Sequence, residues 1–283
     1  MRYFVIILIK ALCLILFSKC FVLNKYIYTD KEINEHYKSR VVCPVFETHS
    51  FLDYKIHYAK IIIHDTLPYL IFVHGAPGAW YGFLNLMDDS LLQQKFNIIA
   101  VDRVGYGKSN YGKQELNTAL QARCIHEVIK KENKHHRPVT LLGRSYGAPI
   151  CAKICINYFD EVNHLVMVSP VIDPTKEKFY CFSKFGKRKL IHLMLPKMFN
   201  VATEEKYAHA KEMTEFEKEW ERLYVPTTVV TGAADRIADT SNFSYAKKHL
   251  INCDTTLLMI KDAGHLVTYE KPELIRSLLL KRY

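Results

Sequence analysis

Short, almost wholly apolar runs recur along the chain and alternate with stretches of helical periodicity. A run that is apolar throughout is typical of a strand buried on both faces of a parallel sheet. Because strands and helices alternate, the helices are expected to cover both faces of that sheet. The predicted buried strands are 69–74, 97–102, 138–143, 164–170, 227–232 and 255–260. The pattern therefore predicts an α/β fold with a mostly parallel sheet.

Two segments of the chain depart from this alternation. Residues 41–48 and 54–63 are extended and joined by a short turn, which predicts a pair of strands before the buried ones. Residues 174–224 are rich in Lys, Phe, Met and Glu and carry no buried-strand pattern. Sites in parallel sheets form at the carboxyl ends of the strands, so we expect this insertion to be a helical lid over that edge.

The amino-terminal segment, residues 1–23, contains no acidic residue and is apolar over most of its length. A basic start followed by such a stretch is typical of a secretory signal peptide or a membrane anchor. Ser18 and Cys20 are small residues that fit a cleavage site, and the segment is also just long enough to span a bilayer. We therefore expect export or anchoring outside the cytoplasm, with membrane association through residues 1–23 if they are retained. An amino-terminal helix packed on the domain, in a cytoplasmic protein, is the alternative.

The distribution of charged residues and cysteines argues against a nucleic-acid partner and against a bound metal. The formal net charge is +10, and basic residues cluster at 130–137 and 184–189 without a nucleic-acid-binding motif. Such clusters are typical of solvated faces, and attraction to an anionic membrane or an acidic substrate is the alternative. The eight cysteines include no C-x-x-C pair and no cluster with histidine at metal-ligand spacing. We expect no nucleic-acid partner and no bound metal.

A G-x-S-x-G sequence with Ser145 at its centre lies between a predicted strand and a predicted helix. This arrangement is typical of a nucleophile elbow, a sharp turn that exposes a serine hydroxyl. The serine needs a base, and the base needs a carboxylate, in the chain order Ser, acid, His for this architecture. Asp235 and His265 supply that order, each just after a predicted strand. The sequence predicts a catalytic triad of these three residues, with Asp173 as the reserve acid.

The oxyanion of an acyl-transfer intermediate requires backbone N–H donors. One is expected from Tyr146, which directly follows the serine at the start of a helix. The other is expected from the turn HGAPG, residues 74–78, after the first buried strand. Pro77 has no N–H, so Ala76 is the expected second donor.

Five segments together resemble the α/β-hydrolase fold superfamily: HGAPG, DRVGYGKS, GRSYG, GAADRIAD and GHLVTYEKPE. The resemblance covers residues 41–283, and it implies an eight-stranded, mostly parallel sheet with helices on both faces, a small helical lid and no cofactor. By matching positions it implies a nucleophile, an orienting acid, a base and two oxyanion donors at Ser145, Asp235, His265, Ala76 and Tyr146. The segment DRVGYGKS matches a turn with a structural role in the family, so Asp102 and Arg103 are not placed in the predicted site.

The residue types at the elbow narrow the predicted chemistry. Epoxide hydrolases and haloalkane dehalogenases of this fold carry an aspartate nucleophile, whereas this chain has Ser145. Proline iminopeptidases have a similar HGAPG turn but usually a tryptophan where this chain has Tyr146. The sequence therefore predicts a serine hydrolase, carboxylesterase-like, that cleaves an ester or related acyl bond of a small-molecule substrate. The aromatic and methionine content of the insertion indicates a fairly apolar substrate.

Three alternatives to an esterase stay open from the sequence. The same triad serves C–C bond hydrolysis and iminopeptidase-like reactions, and a ligand-binding member of the fold keeps the pocket without turnover. Arg144, directly before the serine, has two interpretations of its own: pairing on the surface, or contact with an anionic substrate.

Overall fold

A computed structural model of the protein describes residues 28–179 and 195–281. The predicted leader at 1–23 and the part of the predicted lid at 180–194 lie outside the described residues. The chain divides into two units between Cys43 and Pro44. In the described part of the first unit, helix α1 (Asp30–Tyr37) begins at a capping box, in which the Glu32 N–H donates to Thr29 Oγ1 and the Glu32 carboxylate accepts from the Thr29 N–H.

The second unit is built on an eight-stranded sheet with the strand order β1-β2-β4-β3-β5-β6-β7-β8. β1 pairs antiparallel with β2, and β2 pairs antiparallel with β4. All the other neighbouring strands are parallel, which confirms the predicted sheet. The strands are β1 (Val45–Phe51), β2 (Tyr54–Ile61), β3 (Tyr69–Val73), β4 (Asn97–Val101), β5 (Val139–Arg144), β6 (His164–Val168), β7 (Thr227–Gly232) and β8 (Thr255–Ile260).

Helices connect the parallel strands, so the carboxyl ends of those strands lie along one edge of the sheet. Within residues 28–179 and 195–281, no helix is both long and apolar enough to cross a membrane. The α-helices of the second unit are α2 (Leu84–Met87), α3 (Ser90–Lys95), α4 (Thr118–Glu132), α5 (Gly147–Asn157), α6 (Lys197–Phe216), α7 (Ser241–His249), α8 (Val267–Glu270) and α9 (Pro272–Leu280). Two 3₁₀ helices, Trp80–Phe83 and Glu217–Arg222, complete the set that the structure describes.

The core lies around the central strands, because every residue of β3, β4, β5, β6 and β7 is buried. This burial on both faces is the reason these strands are apolar throughout rather than alternating. The first strand begins at Val45, later than the predicted residue 41, because Pro44 has no N–H for the strand ladder. The described part of the 174–224 insertion forms α6 and a 3₁₀ helix and contains no strand.

Candidate active site

Ser145 lies at the turn between β5 and α5, with a backbone φ of 53°. A positive φ is uncommon for a residue with a side chain, and it turns the chain sharply out of the strand. The Ser145 N–H donates to the Val168 carbonyl oxygen of β6 at 2.9 Å, which fixes the turn. Both flanking glycines are needed for space: a Cβ on Gly143 would lie 2.5 Å from the Gly147 oxygen, and one on Gly147 would lie 2.3 Å from the Val73 oxygen.

The turn after β3, residues 74–78, lies directly against the serine. A Cβ on Gly75 would lie 2.9 Å from the Ser145 Cβ and 3.4 Å from its Oγ, so only bare backbone fits there. The N–H groups of Ala76 and Tyr146 donate no hydrogen bond to any residue that the structure describes. Two unused amides on the elements that flank a serine hydroxyl are the kind of donor that an oxyanion needs.

Asp235 and His265 are joined by a hydrogen bond of 2.8 Å between Oδ2 and Nδ1. The Asp235 side chain, in the loop after β7, is fully buried. Its Oδ1 accepts from the N–H groups of Ile237 at 2.8 Å and Ala238 at 2.9 Å. The loop therefore fixes the carboxylate and leaves Oδ2 for the imidazole. A ring held through Nδ1 keeps Nε2 for proton transfer.

The structure thus brings the predicted site residues together in two groups. Asp235 holds His265, and Ser145 lies against the 74–78 turn. Among the described residues, the Ser145 hydroxyl makes no hydrogen bond to His265, so that contact stays a prediction. Asp173, the reserve acid, accepts instead from the Thr175 N–H and hydroxyl within its own turn, at 2.9 and 2.7 Å.

Arg144 connects the two groups through the strand that carries the serine. Arg144 is only 7% exposed, so the interpretation that it pairs with a charge on the protein surface is wrong. Its Nη1 donates to the Gly82 carbonyl oxygen at 3.2 Å and to Thr268 Oγ1 at 3.0 Å. Thr268 belongs to α8, the helix that starts two residues after His265.

Aromatic rings enclose the rest of this guanidinium. The Arg144 Cζ lies 5.0 Å from the Phe83 ring centroid and 5.3 Å from that of Tyr269, distances typical of cation–π contacts. Burial lowers the pKa of Arg144 from its ordinary value. Arg144 therefore holds α8 against the elbow strand.

A second buried arginine, Arg103, lies in the loop after β4 and pairs with Glu205 of α6. The Nη1–Oε1 and Nη2–Oε2 distances are 2.7 and 2.9 Å, and neither side chain is exposed to solvent. Burial disfavours the charged guanidinium, but the attraction of the Glu205 carboxylate outweighs it and places the pKa of Arg103 above its ordinary value.

Sequence reasoning set Arg103 aside and did not single out Glu205. A signal was present in the spacing of α6, where Val201, Glu205, His209 and Met213 are four residues apart and all buried. That spacing places Glu205 on the apolar stripe of the helix, where a carboxylate requires a partner.

The described ranges contain no cluster of potential metal ligands, and the cysteines behind the elbow are buried. No group of His, Cys, Asp and Glu there is arranged to hold a metal ion. Cys151 and Cys155 are free and buried on α5, and burial raises the pKa of both thiols. They act as small apolar side chains behind the elbow.

Comparison with known proteins agrees with the observed fold. A family model described as the alpha/beta hydrolase fold matches residues 68–190. The solved structure of the epoxide hydrolase CorEH superposes with a TM-score of 0.68 at 15% identity, over 84% of this chain and 98% of that one. The chain has the α/β-hydrolase fold. At this identity the structural likeness to CorEH concerns the fold of this chain and not its substrate.

Curated relatives of this chain have names that describe different activities. The rat monoglyceride lipase is 24% identical over 243 residues, which are 74% of this chain and 79% of the relative. A 1-acylglycerol-3-phosphate O-acyltransferase of Arabidopsis thaliana is 32% identical over 106 residues, 36% of this chain. The match spans about a quarter, 24%, of that acyltransferase.

Proposed function

We propose that this α/β hydrolase is a serine esterase that cleaves an ester or related acyl bond of a small, fairly apolar substrate through an acyl-enzyme on Ser145. One arrangement carries the proposal: a serine at φ 53° is flanked by two amides that bond no described residue, beside a histidine ordered by a buried aspartate. A protein that only binds a ligand has no physical need for all of these groups.

In the proposed reaction, Ser145 Oγ attacks the acyl carbon while His265 Nε2 takes its proton, and Asp235 stabilises the imidazolium. The N–H groups of Ala76 and Tyr146 hold the oxyanion. The bond to the leaving group then breaks, and His265 gives that group the proton. Water attacks the acyl-enzyme while His265 takes a proton from it, and His265 then returns this proton to Ser145 Oγ as the acyl–oxygen bond breaks and the acid leaves. Catalytic hydrogen bonds often tighten only when substrate is bound, which fits the missing serine–histidine bond.

Two observations support an apolar acyl group. The rat relative is a monoglyceride lipase, and the 174–224 insertion is rich in aromatic residues and methionine. We propose that the insertion covers the serine and that its apolar composition favours longer acyl chains over acetate.

Labelling and turnover together test this function. The protein is treated with a fluorophosphonate probe and assayed on p-nitrophenyl esters from acetate to dodecanoate and on prolyl p-nitroanilide. We expect labelling of Ser145, hydrolysis that rises with chain length, and a loss of at least about 10³-fold in Ser145→Ala. Ser90→Ala, at an exposed serine that starts α3, is the matched control and keeps full activity.

Each other outcome contradicts a stated part of the proposal. Near-wild-type turnover in Ser145→Ala excludes the elbow as the nucleophile. Labelling without any turnover favours the ligand-binding alternative, and faster hydrolysis of the prolyl amide favours an iminopeptidase.

We also propose that residues 1–23 are a secretory signal or membrane anchor that places the enzyme outside the cytoplasm. The support is the acid-free, apolar composition of this segment. The test is to express the full chain with a carboxyl-terminal tag, fractionate the cells and measure the intact mass of the product. The mass distinguishes a cleaved signal peptide from a retained membrane anchor. A full-length chain in the cytosolic fraction contradicts the proposal.

A further inference from the structure

The two elements that carry the proposed oxyanion donors both contact Arg103. Its Nε donates to the His74 carbonyl oxygen at 3.0 Å, and its Nη2 donates to the Gly75 oxygen at 3.2 Å. Its Cζ lies 4.9 Å from the ring centroid of Tyr146, the residue after the nucleophile. One guanidinium therefore bridges the 74–78 turn and the start of α5.

The bond to Gly75 has a direct consequence for Ala76. The Gly75 carbonyl and the Ala76 N–H belong to one planar peptide unit and point in opposite directions. A donor that holds the Gly75 oxygen therefore also sets the direction of the Ala76 N–H. The His74 side chain adds a second constraint. Its Nε2 accepts a hydrogen bond from the backbone N–H of Arg103 at 3.0 Å, and its Nδ1 bonds the Gly75 carbonyl oxygen at 2.7 Å.

Glu205 fixes the other side of the same guanidinium. It accepts from Arg103 Nη1 and Nη2, from the Tyr106 hydroxyl at 2.6 Å and from Gln121 Nε2 at 3.0 Å. Gln121 Oε1 in turn accepts from Arg103 Nη1 at 2.7 Å. With these bonds all five N–H donors of the guanidinium have an acceptor, so its orientation is fully determined.

We propose that Arg103 is a positioning residue for the oxyanion hole, and that Glu205 of the 174–224 insertion holds Arg103 in the orientation that aims the Ala76 amide at the reacting acyl group. The inference rests on the esterase function proposed above. It gives the insertion a role in the chemistry, because seating α6 on the sheet completes the contacts that align a donor almost 130 residues earlier in the chain.

A purely structural ion pair makes a different prediction. Breaking a buried pair leaves an uncompensated charge and destabilises a protein, whereas replacing both partners by apolar residues is often neutral. A structural pair is therefore replaceable without loss of turnover, and a positioning pair is not.

The deciding variant is Arg103→Met/Glu205→Leu. Unfolding is followed in urea, active sites are counted by fluorophosphonate titration, and kcat and KM are measured per active site. We expect a folded protein whose kcat falls about 30- to 100-fold, somewhat less than the loss of a whole oxyanion donor, with KM within about threefold of wild type. Glu205→Gln keeps the side-chain length and one acceptor, and its kcat falls about fivefold.

The matched control is Lys153→Met/Glu219→Leu. This ion pair also joins the insertion to α5, but it lies outside the site described above. Its kcat is expected to stay at the wild-type value.

A folded Arg103→Met/Glu205→Leu variant with kcat within threefold of wild type overturns the inference. If that variant does not fold, unchanged kcat per active site in Glu205→Gln overturns it instead. Failure of the esterase function itself is recognised separately, because then the wild-type protein neither labels at Ser145 nor hydrolyses any ester.

Discussion

Two arginines are buried close to the proposed nucleophile, and the protein accommodates their charges in different ways. Arg103 faces a fully buried carboxylate from the insertion and has an acceptor for every donor. Arg144 has no carboxylate within ion-pair distance among the described residues and lies instead against a carbonyl, a hydroxyl and two aromatic rings. Their pKa values shift in opposite directions: the attraction of Glu205 overcomes burial at Arg103, whereas burial outweighs the opposing effect of Tyr269 at Arg144.

The two arginines therefore support different sides of the proposed site: Arg103 supports the oxyanion side and Arg144 the side of the base. On the oxyanion side, a charge pair inside the protein fixes the 74–78 turn rigidly. On the base side, Arg144 holds α8 through contacts with uncharged groups. This side is also the one where the serine–histidine hydrogen bond is absent among the described residues. We infer that the proposed oxyanion hole is preorganised, whereas the proposed base, His265, is adjusted when substrate binds.

The largest expected effect is a loss of kcat on the base side of the site, at Asp235. Asp235→Asn is expected to lower kcat about 10⁴-fold, because an amide next to Nδ1 favours the wrong imidazole tautomer. The measurement is ester hydrolysis per folded protein. Asp173→Asn is the matched control and keeps its activity; a greater loss there than in Asp235→Asn would show that the acid is assigned to the wrong strand end.

The two arginines are expected to differ most in stability. Arg103→Met leaves Glu205 buried and unpaired, so the free energy of unfolding in urea falls by roughly 3–5 kcal/mol. Arg103→Met/Glu205→Leu recovers most of that loss. A single variant that loses less than about 1 kcal/mol would mean that water reaches Glu205 and that the contrast with Arg144 is wrong.

Arg144→Met is expected to lower the free energy of unfolding less than Arg103→Met, because it leaves no buried carboxylate without its cation. Two hydrogen bonds are lost but a buried cation is removed, so the free energy of unfolding changes by about 1 kcal/mol. We expect kcat to fall about tenfold, since a small displacement of α8 misplaces the histidine that precedes it. Thr268→Val removes one of the two acceptors at nearly constant shape and gives a smaller decrease. Unchanged kcat in Arg144→Met contradicts a role for this arginine on the base side.

The smallest expected effect concerns a carboxylate near the surface, as a contrast to Glu205. Glu47 on β1 accepts from Lys131 and from Lys60, and these bonds lower its pKa from 4.5 to about 2. A lowered folded-state pKa stabilises the protein above pH 4.5, and that contribution is lost as the pH falls from 4.5 towards 2.

Glu47 is half-buried, so the effect is expected to stay below about 1 kcal/mol. The measurement is the difference in urea midpoint between wild type and Glu47→Gln, which is expected to be larger near pH 6 than near pH 3.5. An equal difference at both pH values contradicts the ion-pair explanation.

The parts of the fold that local pattern determines were predictable from the sequence. The buried strands are apolar because both of their faces are covered. The elbow is recognised by its two glycines, which are required because a side chain at either position would collide with the backbone of the motif or of β3. Asp235 and His265 are found by their place after a strand, and the structure joins them directly.

Contacts between distant segments were not predictable in the same way. Arg103 and Glu205 are 102 residues apart, and a glutamate on a helix is usually solvent-exposed. Arg144 was interpreted as a surface residue or a substrate contact because nothing near it in sequence shows that Phe83 and Tyr269 enclose its guanidinium. In both cases the deciding partner comes from another layer of the fold.

The hydrogen bond from the Ser145 amide to Val168 has a consequence for protein synthesis. The ribosome makes the chain from its amino end, so the serine turn lacks its anchor until β6 has emerged. Glu205, Asp235 and His265 follow at still later stages. A nascent chain therefore contains the proposed nucleophile before it contains the proposed acid and base, and we expect it to stay unreactive towards esters while it is being translated.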